Sequence, residues 1–369
     1  MSQPLQRTPL FDAHVSAKAR IVPFAGWEMP VQYAGVVAEV KATREGVGLF
    51  DVSHMGRANF TGPGTLDFFS YVLASDPTTL ENGKGHYSLL CNPSGGVIDD
   101  VIVYKRSAES FSLVFNAGNR EKDWAHLTKE ARNFDVTPTN ISDQTCLIAV
   151  QGPKAVELLG ESVAKLPRFG IGDASLFNIP VTLMRTGYTG EDGAEVQCRA
   201  ADAPALWDAL VNAGAVPCGL GARDALRVEA ALSLYGHEMD ESVSPYAARL
   251  GWVVKLDKPT DFVGKSALEL AKISEPNRLV GVTLEGRGIP REGYSVFAPD
   301  AADNAPQPPG LGEPIGFVTS GTFSPTLQRG VALARVPASL AKVGTPLEVE
   351  IRGQRHPAKV TALPFYKNV

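Results

Sequence analysis

Apolar and polar positions alternate with a period of two along much of this chain, as in half-buried strands. LFDVSHMGRANFTG, YSLLCN, GVIDDVIVY and FSLVFN, between residues 49 and 138, read as strands linked by hairpin signals, which implies antiparallel pairing. CLIAVQG is a further strand, and VTLMRTGYTGEDGAEVQC a β-hairpin turning in its glycine-rich centre. Elsewhere the spacing is helical. One helix is predicted at about 35–46, and another is capped by Asn119 and runs through Trp124 and Leu127 to about Arg132. Pro153 opens a short helix to about Leu159, and Asp202 caps APALWDALVNA, which Gly214 ends. GARDALRVEAALSL carries Ala222, Leu226 and Ala230 as one apolar stripe and is closed by Gly236. From Leu279 short strands follow one another with many turns, the pattern of a small sandwich or barrel. PDAADNAPQPPGLGEP (299–314) reads as a Pro-rich loop between two of these strands. The expected class is α+β followed by an all-β domain.

Two adjacent acids break this pattern. In NPSGGVIDDVIVY (92–104), Asp99 shares a strand face with Val97, Val101 and Val103, and Asp100 shares the other with Ile98, Ile102 and Tyr104. Both faces look buried, yet each carries a carboxylate. An Asp after Gly-Gly often caps a turn, which accounts for one of them. A buried carboxyl is costly unless paired and has a raised pKa, which suits proton handling. Both readings remain open on chemistry alone.

The bulk composition narrows the function classes. The chain has 369 residues, enough for two or three domains, with 44% hydrophobic and 20% charged positions. Lys plus Arg is 35 against 40 Asp plus Glu, a net charge of −5, which argues against a dedicated nucleic-acid binder. Cys91, Cys146, Cys198 and Cys218 are scattered, so no zinc site or disulfide framework is signalled, and Cys146 and Cys198 read as small core residues. No run reaches the length of a membrane span, and MSQPLQRTPLFDAHV has no signal-peptide core, so a cytoplasmic protein is expected.

Other motifs carry less. Gly219-Leu220-Gly221 lacks the third glycine of a dinucleotide fingerprint, and no phosphate loop is present, so NAD and ATP are not supported. The six histidines lie far apart, no metal is expected, and GHEMDE (236–241) reads as a solvated helix end. In TGYTGEDGAE (186–195) the glycines fit a tight turn, while Glu195 lies beyond it at a strand start. A carboxylate there suits bidentate recognition of a flat heterocycle. Arg223 and Arg227 are i, i+4 on one helix, and Arg223 near its start suits a substrate carboxylate. Spacing alone reads as an intrahelical pair with Glu229 or a surface charge.

Taken together, FAGWEMPVQY (24–33), GLFDVSHMG (48–56), NPSGGVIDDVIVY (92–104), VFNAGN (114–119), VQGP (150–153), TGYTGEDGAE (186–195), GLGARDALRVEAALSLYGHE (219–238) and TSGTFSP (319–325) resemble the aminomethyltransferase (T-protein) family of the glycine cleavage system. They occur in the family's order across nearly the whole chain. The resemblance implies a three-domain cloverleaf around a central folate site: antiparallel sheets flanked by helices, and a C-terminal jelly-roll-like β-barrel. It divides the chain into 1–52 plus 139–250, 53–138 plus 251–278, and 279–369. The implied reaction passes the methylene of the aminomethyl group on lipoylated H-protein to tetrahydrofolate. It yields ammonia, dihydrolipoyl H-protein and 5,10-methylenetetrahydrofolate. The implied partners are the H-protein and, functionally, the glycine decarboxylase P-protein and dihydrolipoyl dehydrogenase.

Residue by residue, the resemblance makes Asp99 the catalytic acid beside the pteridine and leaves Asp100 as a turn-capping or structural member. Glu195 would hold the amino-pteridine edge with Tyr188 beside it. Arg223 would reach the folate tail, and Met55, Tyr87, Asn116 and Tyr235 would help form the cavity. The terminal PFYKNV offers Lys367 or Tyr366 as a further contact. Related folate proteins fit less well. The flavin-linked dimethylglycine and sarcosine oxidising enzymes carry an extra domain. The family assisting iron–sulfur assembly has a Lys-Gly-Cys motif where KPTDFVGKS (258–266) presents Asp261.

Overall fold

The computed structural model describes residues 4–299 and 312–368, so most of the predicted Pro-rich loop lies outside the described residues. Two large sheets and a barrel, with a small two-stranded sheet of Arg20–Phe24 and Trp27–Gln32, organise the described residues. The first sheet runs Ile171–Leu176, Ile179–Met184, Gly193–Arg199, Thr145–Gln151, Gly48–Asp51 and Val216–Pro217. Its pairings are antiparallel except the last, where Val216 lies parallel beside Gly48. The second is antiparallel throughout, in the order Lys84–Cys91, Val97–Ser107, Ser110–Phe115, Gly56–Thr61 and Thr137–Asn140. The C-terminal strands close into a six-stranded antiparallel barrel, as the change of character near Leu279 implied.

Period-two alternation decides what the Val97–Ser107 strand touches. Val101 and Val103 pack with Phe60, Phe68, Phe69 and Phe111 in the core of their own domain. Ile102 and Tyr104 face the other way, against Phe50, Val52, Leu147 and Ala149 of the first sheet. The two sheets thus meet across one face of this strand, which is where a cavity can open.

Three local expectations change. The Ile179–Met184 and Gly193–Arg199 strands are joined by a long loop, residues 185–192, rather than a tight turn. A Cβ on Gly187 would lie 1.8 Å from the Gln151 amide oxygen, so its glycine serves close packing. The helix predicted to run to Gly236 stops at Glu229, with Ala231 in the left-handed region at φ 56° just beyond. Glu238, read in a solvated helix end, is fully buried, because the barrel covers it and Arg227 supplies its counter-charge.

The Leu220–Glu229 helix ties the first sheet's domain to the barrel through ion pairs and hydrogen bonds. Arg44 from the Val36–Glu45 helix pairs with Glu229 and Glu191 at 2.8 Å each. Glu229 also accepts from Ser324 and Thr326 of the barrel domain, while Arg44 stacks 3.9 Å from the Tyr366 ring centre. Arg227 meets Glu238 at 2.9 Å and donates to the barrel's Ser320 at 2.6 Å. Desolvation of such groups is repaid only while every partner is in place. Arg44→Met therefore leaves two buried carboxylates uncompensated and is expected to cost about 3–5 kcal/mol, against a smaller loss for Glu229→Gln. Denaturant midpoints check this; equal, unshifted midpoints would reduce the network to a bystander.

Candidate active site

Where the two sheets, the Leu220–Glu229 helix and the segment leading to the barrel converge, they enclose a cavity of about 880 Å³. Met55, Tyr87, Asn116, Tyr188, Glu195, Arg223 and Tyr235 all line it. The sequence-named set is thus brought together with two exceptions.

The first exception is the acid pair. Asp100 faces the cavity and Asp99 does not. Asp99 is fully buried on the core side, where Oδ1 accepts from the side-chain amides of Asn116 (2.9 Å) and Asn119 (2.6 Å) and Oδ2 from the Asn116 backbone N–H (2.9 Å). Alternation separates the two acids as expected, but the faces are exchanged. The Asp99 face continues into the phenylalanine core, and the Asp100 face continues through Ile102 into the junction between sheets. Asp99 is held on the core side by amides rather than by a turn. Asn119, predicted as a helix cap, makes no side-chain cap bond because its amide is committed to Asp99.

Asn116 couples the two carboxylates. Its Nδ2 reaches Asp100 Oδ1 at 2.7 Å as well as Asp99 Oδ1 at 2.9 Å. Burial, and after it the Asp99 charge, raise the Asp100 pKa to about 7, against the lowering effect of hydrogen bonds from Tyr87 and Asn116. A carboxyl tuned to neutrality on a cavity wall can take or hold a proton during a reaction.

The second exception is Lys367. It is exposed and does not line the cavity, the chain end being tied instead to Glu229 and Glu191. Tyr366 N–H donates to the Glu229 carbonyl at 2.9 Å and the Asn368 amide to Glu191 at 2.6 Å. Leu363, just upstream, is the terminal-segment residue that reaches the lining.

Across the cavity, Glu195 is buried with its pKa raised by that burial, and its Oε2 accepts the Thr186 hydroxyl at 2.8 Å. Thr186 is in turn fixed by the Tyr104 hydroxyl at 2.8 Å. Oε1 has no protein donor among the described residues, which leaves it for a ligand N–H. Arg223 stacks 4.5 Å from the Tyr188 ring centre, and among the described residues its guanidinium forms no ion pair. Arg227, its i+4 neighbour, is spent on Glu238. Helical spacing paired the two arginines; tertiary burial gives them different tasks.

Sequence reasoning passed over several lining residues. His54 is buried, and burial lowers its pKa to about 3, so it is neutral. Trp252 stacks on Tyr87 with ring centres 6.0 Å apart, and Arg249 follows the same wall. The stretch around Trp252 shows no motif spacing, whereas His54 stood within GLFDVSHMG and carried a signal that was not used. Four non-glycine lining residues, Ala25, Phe169, Ala231 and Arg249, have φ between 49° and 61°, local strain of the kind that clusters at functional sites. Among the described residues no His/Cys/Asp/Glu group is placed to hold a metal, and no helix is long and apolar enough to cross a membrane.

Comparison with known proteins agrees with this arrangement. A family model described as the GCVT N-terminal domain matches residues 10–258, and one described as the glycine cleavage T-protein C-terminal barrel domain matches residues 277–367. An aminomethyltransferase from Parasynechococcus marenigrum (strain WH8102) is 47% identical over 375 residues, covering 98% of this chain and 99% of the relative. One from Symbiobacterium thermophilum is 43% identical over 383 residues, covering 100% and 99%. The crystal structure of the glycine cleavage system aminomethyltransferase T from Bartonella henselae shares the fold with a TM-score of 0.89 at 33% identity, covering 98% of each chain. With both family models matched in sequence order, relatives similar from end to end and the same architecture, the chain belongs to the glycine cleavage T-protein family of aminomethyltransferases.

Proposed function

We propose that the central cavity binds tetrahydrofolate together with the aminomethyl group carried on the lipoyl arm of an H-protein, and that Asp100 is the catalytic carboxyl. The observation that carries this reading is the placing of three unlike groups around one cavity: Asp100, the buried Glu195, and Arg223, which forms no ion pair among the described residues. Glu195 offers a carboxylate edge to the amino-pyrimidine side of a pteridine, and Tyr188 and Tyr87 give flat walls. Arg223 supplies the cation for the glutamate tail.

In the transfer, the folate nitrogens N5 and N10 bond in turn to the methylene carbon as its carbon–nitrogen and carbon–sulfur bonds break, and the two protons those nitrogens lose leave with ammonia and the dihydrolipoyl thiol. Asp100 orients the attacking nitrogen, takes its proton and offsets the positive charge that develops at the methylene. Asn116 holds the Asp100 carboxylate at 2.7 Å while it does so. We place the protein in the cytoplasm, working in sequence with the glycine decarboxylase P-protein and dihydrolipoyl dehydrogenase, which load the lipoyl arm and reoxidise it.

Ammonia release from an aminomethyl-loaded, lipoylated H-protein, with and without tetrahydrofolate, tests the assignment. Asp100→Asn is expected to bind folate yet turn over about 10²–10⁴-fold more slowly. Near-normal turnover would remove the residue from the reaction. Glu195→Ala and Arg223→Ala are each expected to weaken folate binding about tenfold or more, read by titration, and unchanged affinity would take them out of the site.

The raised pKa of Asp100 also sets a stability trend. The folded protein titrates this group near 7 and the unfolded chain near 4, so folding is favoured by the proton below about 4 and loses that contribution as pH rises to about 7. The melting midpoint of Asp100→Asn should therefore rise relative to wild type between pH 4 and 7 and keep a constant lead above. A lead that does not vary with pH would contradict the raised pKa.

A further inference from the structure

Behind the cavity wall lies an acid that this reaction leaves unused. Asp123, in the first turn of the Arg120–Ala131 helix, is fully buried, and neither carboxyl oxygen has an N–H or O–H donor among the described side chains and backbone. A buried carboxylate without donor or cation is among the costliest arrangements a fold can hold. The carboxyl it faces is that of Asp99, an acceptor within reach only if Asp123 carries a proton. Asp99 already accepts three amide N–H groups, so it is equipped as the acceptor of a further hydrogen bond, and the proton between the two acids belongs on Asp123. Burial first, and then the neighbouring Asp99 charge, push the Asp123 pKa far above the carboxylate range.

The other charges facing Asp123 do not change this. Asp100, from the same strand as Asp99, adds a second acid and favours the neutral form further. Lys122 on the same helix is the nearest cation, but its ammonium is engaged by the Ile98 carbonyl (2.8 Å), the Tyr235 hydroxyl (2.8 Å) and Glu241 (3.0 Å).

We propose that Asp123 is a positioning residue, a neutral carboxylic acid that donates to Asp99 and, through Asp99 and the Asn116 amide, fixes the orientation and charge state of Asp100 at the cavity wall. The inference rests on the role given to Asp100 above. A proton on Asp123 would complete a linkage whose other members are in place: Asp99 Oδ1 to Asn116 Nδ2 at 2.9 Å, and the same Nδ2 to Asp100 Oδ1 at 2.7 Å. Rotation of the Asp99 carboxyl would carry Asn116 with it and release Asp100.

The test compares wild type, Asp123→Asn and Asp123→Ala in the full chain by two readouts. Infrared difference spectra at pH 8 should show a protonated carboxylic C=O band in wild type that disappears in Asp123→Asn; a spectrum the substitution leaves unchanged would overturn the proposal without reference to activity. In the pH profile of ammonia release, Asp123→Ala should lower kcat about tenfold or more with little change in KM and move the acid limb to higher pH. Asp123→Asn, whose amide donates without ionising, should recover most of kcat and return the limb to its wild-type position. A limb moved to lower pH in Asp123→Asn would mean the acid is charged. A lowered melting point in both variants with kcat and the limb untouched would mean it only fills space. Asp100→Asn run alongside separates the two claims: if that variant turns over normally, the catalytic assignment fails, while the infrared band still reports on Asp123.

Discussion

A single helix, Leu220–Glu229, carries the constraint on which the rest of the structure depends: two of its charged groups, Arg227 and Glu229, are buried, so both must find partners outside the helix. Glu229 is answered by Arg44 and by barrel hydroxyls, Arg227 by Glu238 and Ser320. None of these pairs is worth much as net stability, since desolvation consumes most of the Coulombic gain. Their value is geometric. The first sheet, the 185–192 loop and the barrel are placed so that all of them are satisfied, and Arg223 is left on the cavity side with no ion pair among the described residues.

The cavity follows from that junction. Hydrophobic packing closes the two sheets around Tyr104, Ile102, Val114 and the first-sheet residues Phe50 and Leu147, and beyond their edge polar groups replace apolar ones. Tyr104 illustrates the transition: its ring is core, and its hydroxyl fixes Thr186, which fixes Glu195. The polar groups inherit their precision from packed neighbours, so catalytic geometry and core packing are one problem here.

Much of this was legible in the sequence. Strand periodicity, hairpin signals and the late run of short strands gave both sheets and the barrel, because those patterns record burial directly. The gathering of Met55, Tyr87, Asn116, Tyr188, Glu195, Arg223 and Tyr235 also emerged, from motifs in register. What failed shares a cause. Alternation states that Asp99 and Asp100 face opposite sides, but two apolar stripes look alike until it is known that one meets helices and the other a second sheet. Asn119 occupies a cap position and is claimed instead by a distant acid. Glu238 and Arg227 read as surface charges because they meet only after the chain turns back beyond the helix end, and their hydroxyl partners Thr319 and Ser320 lie in the barrel. Lys367 was placed by proximity to the chain end, whose path depends on Glu191 and Glu229.

The adjacency of the two aspartates turns strand register into a kind of reading frame. Leu90 lies opposite Asp99 and Leu89 opposite Asp100, and the pairing slips immediately beyond, between Leu90 and Cys91. Without that slip, a single residue gained or lost on the turn side would leave the hydrophobic count nearly intact, yet it would exchange the two acids. The carboxyl held by three amides would be offered to the cavity, and the tunable one would be sealed in the phenylalanine core. The irregularity beside the Gly-Gly turn absorbs such an offset before it reaches Asp99, so the turn can vary in length while the chemistry stays in phase.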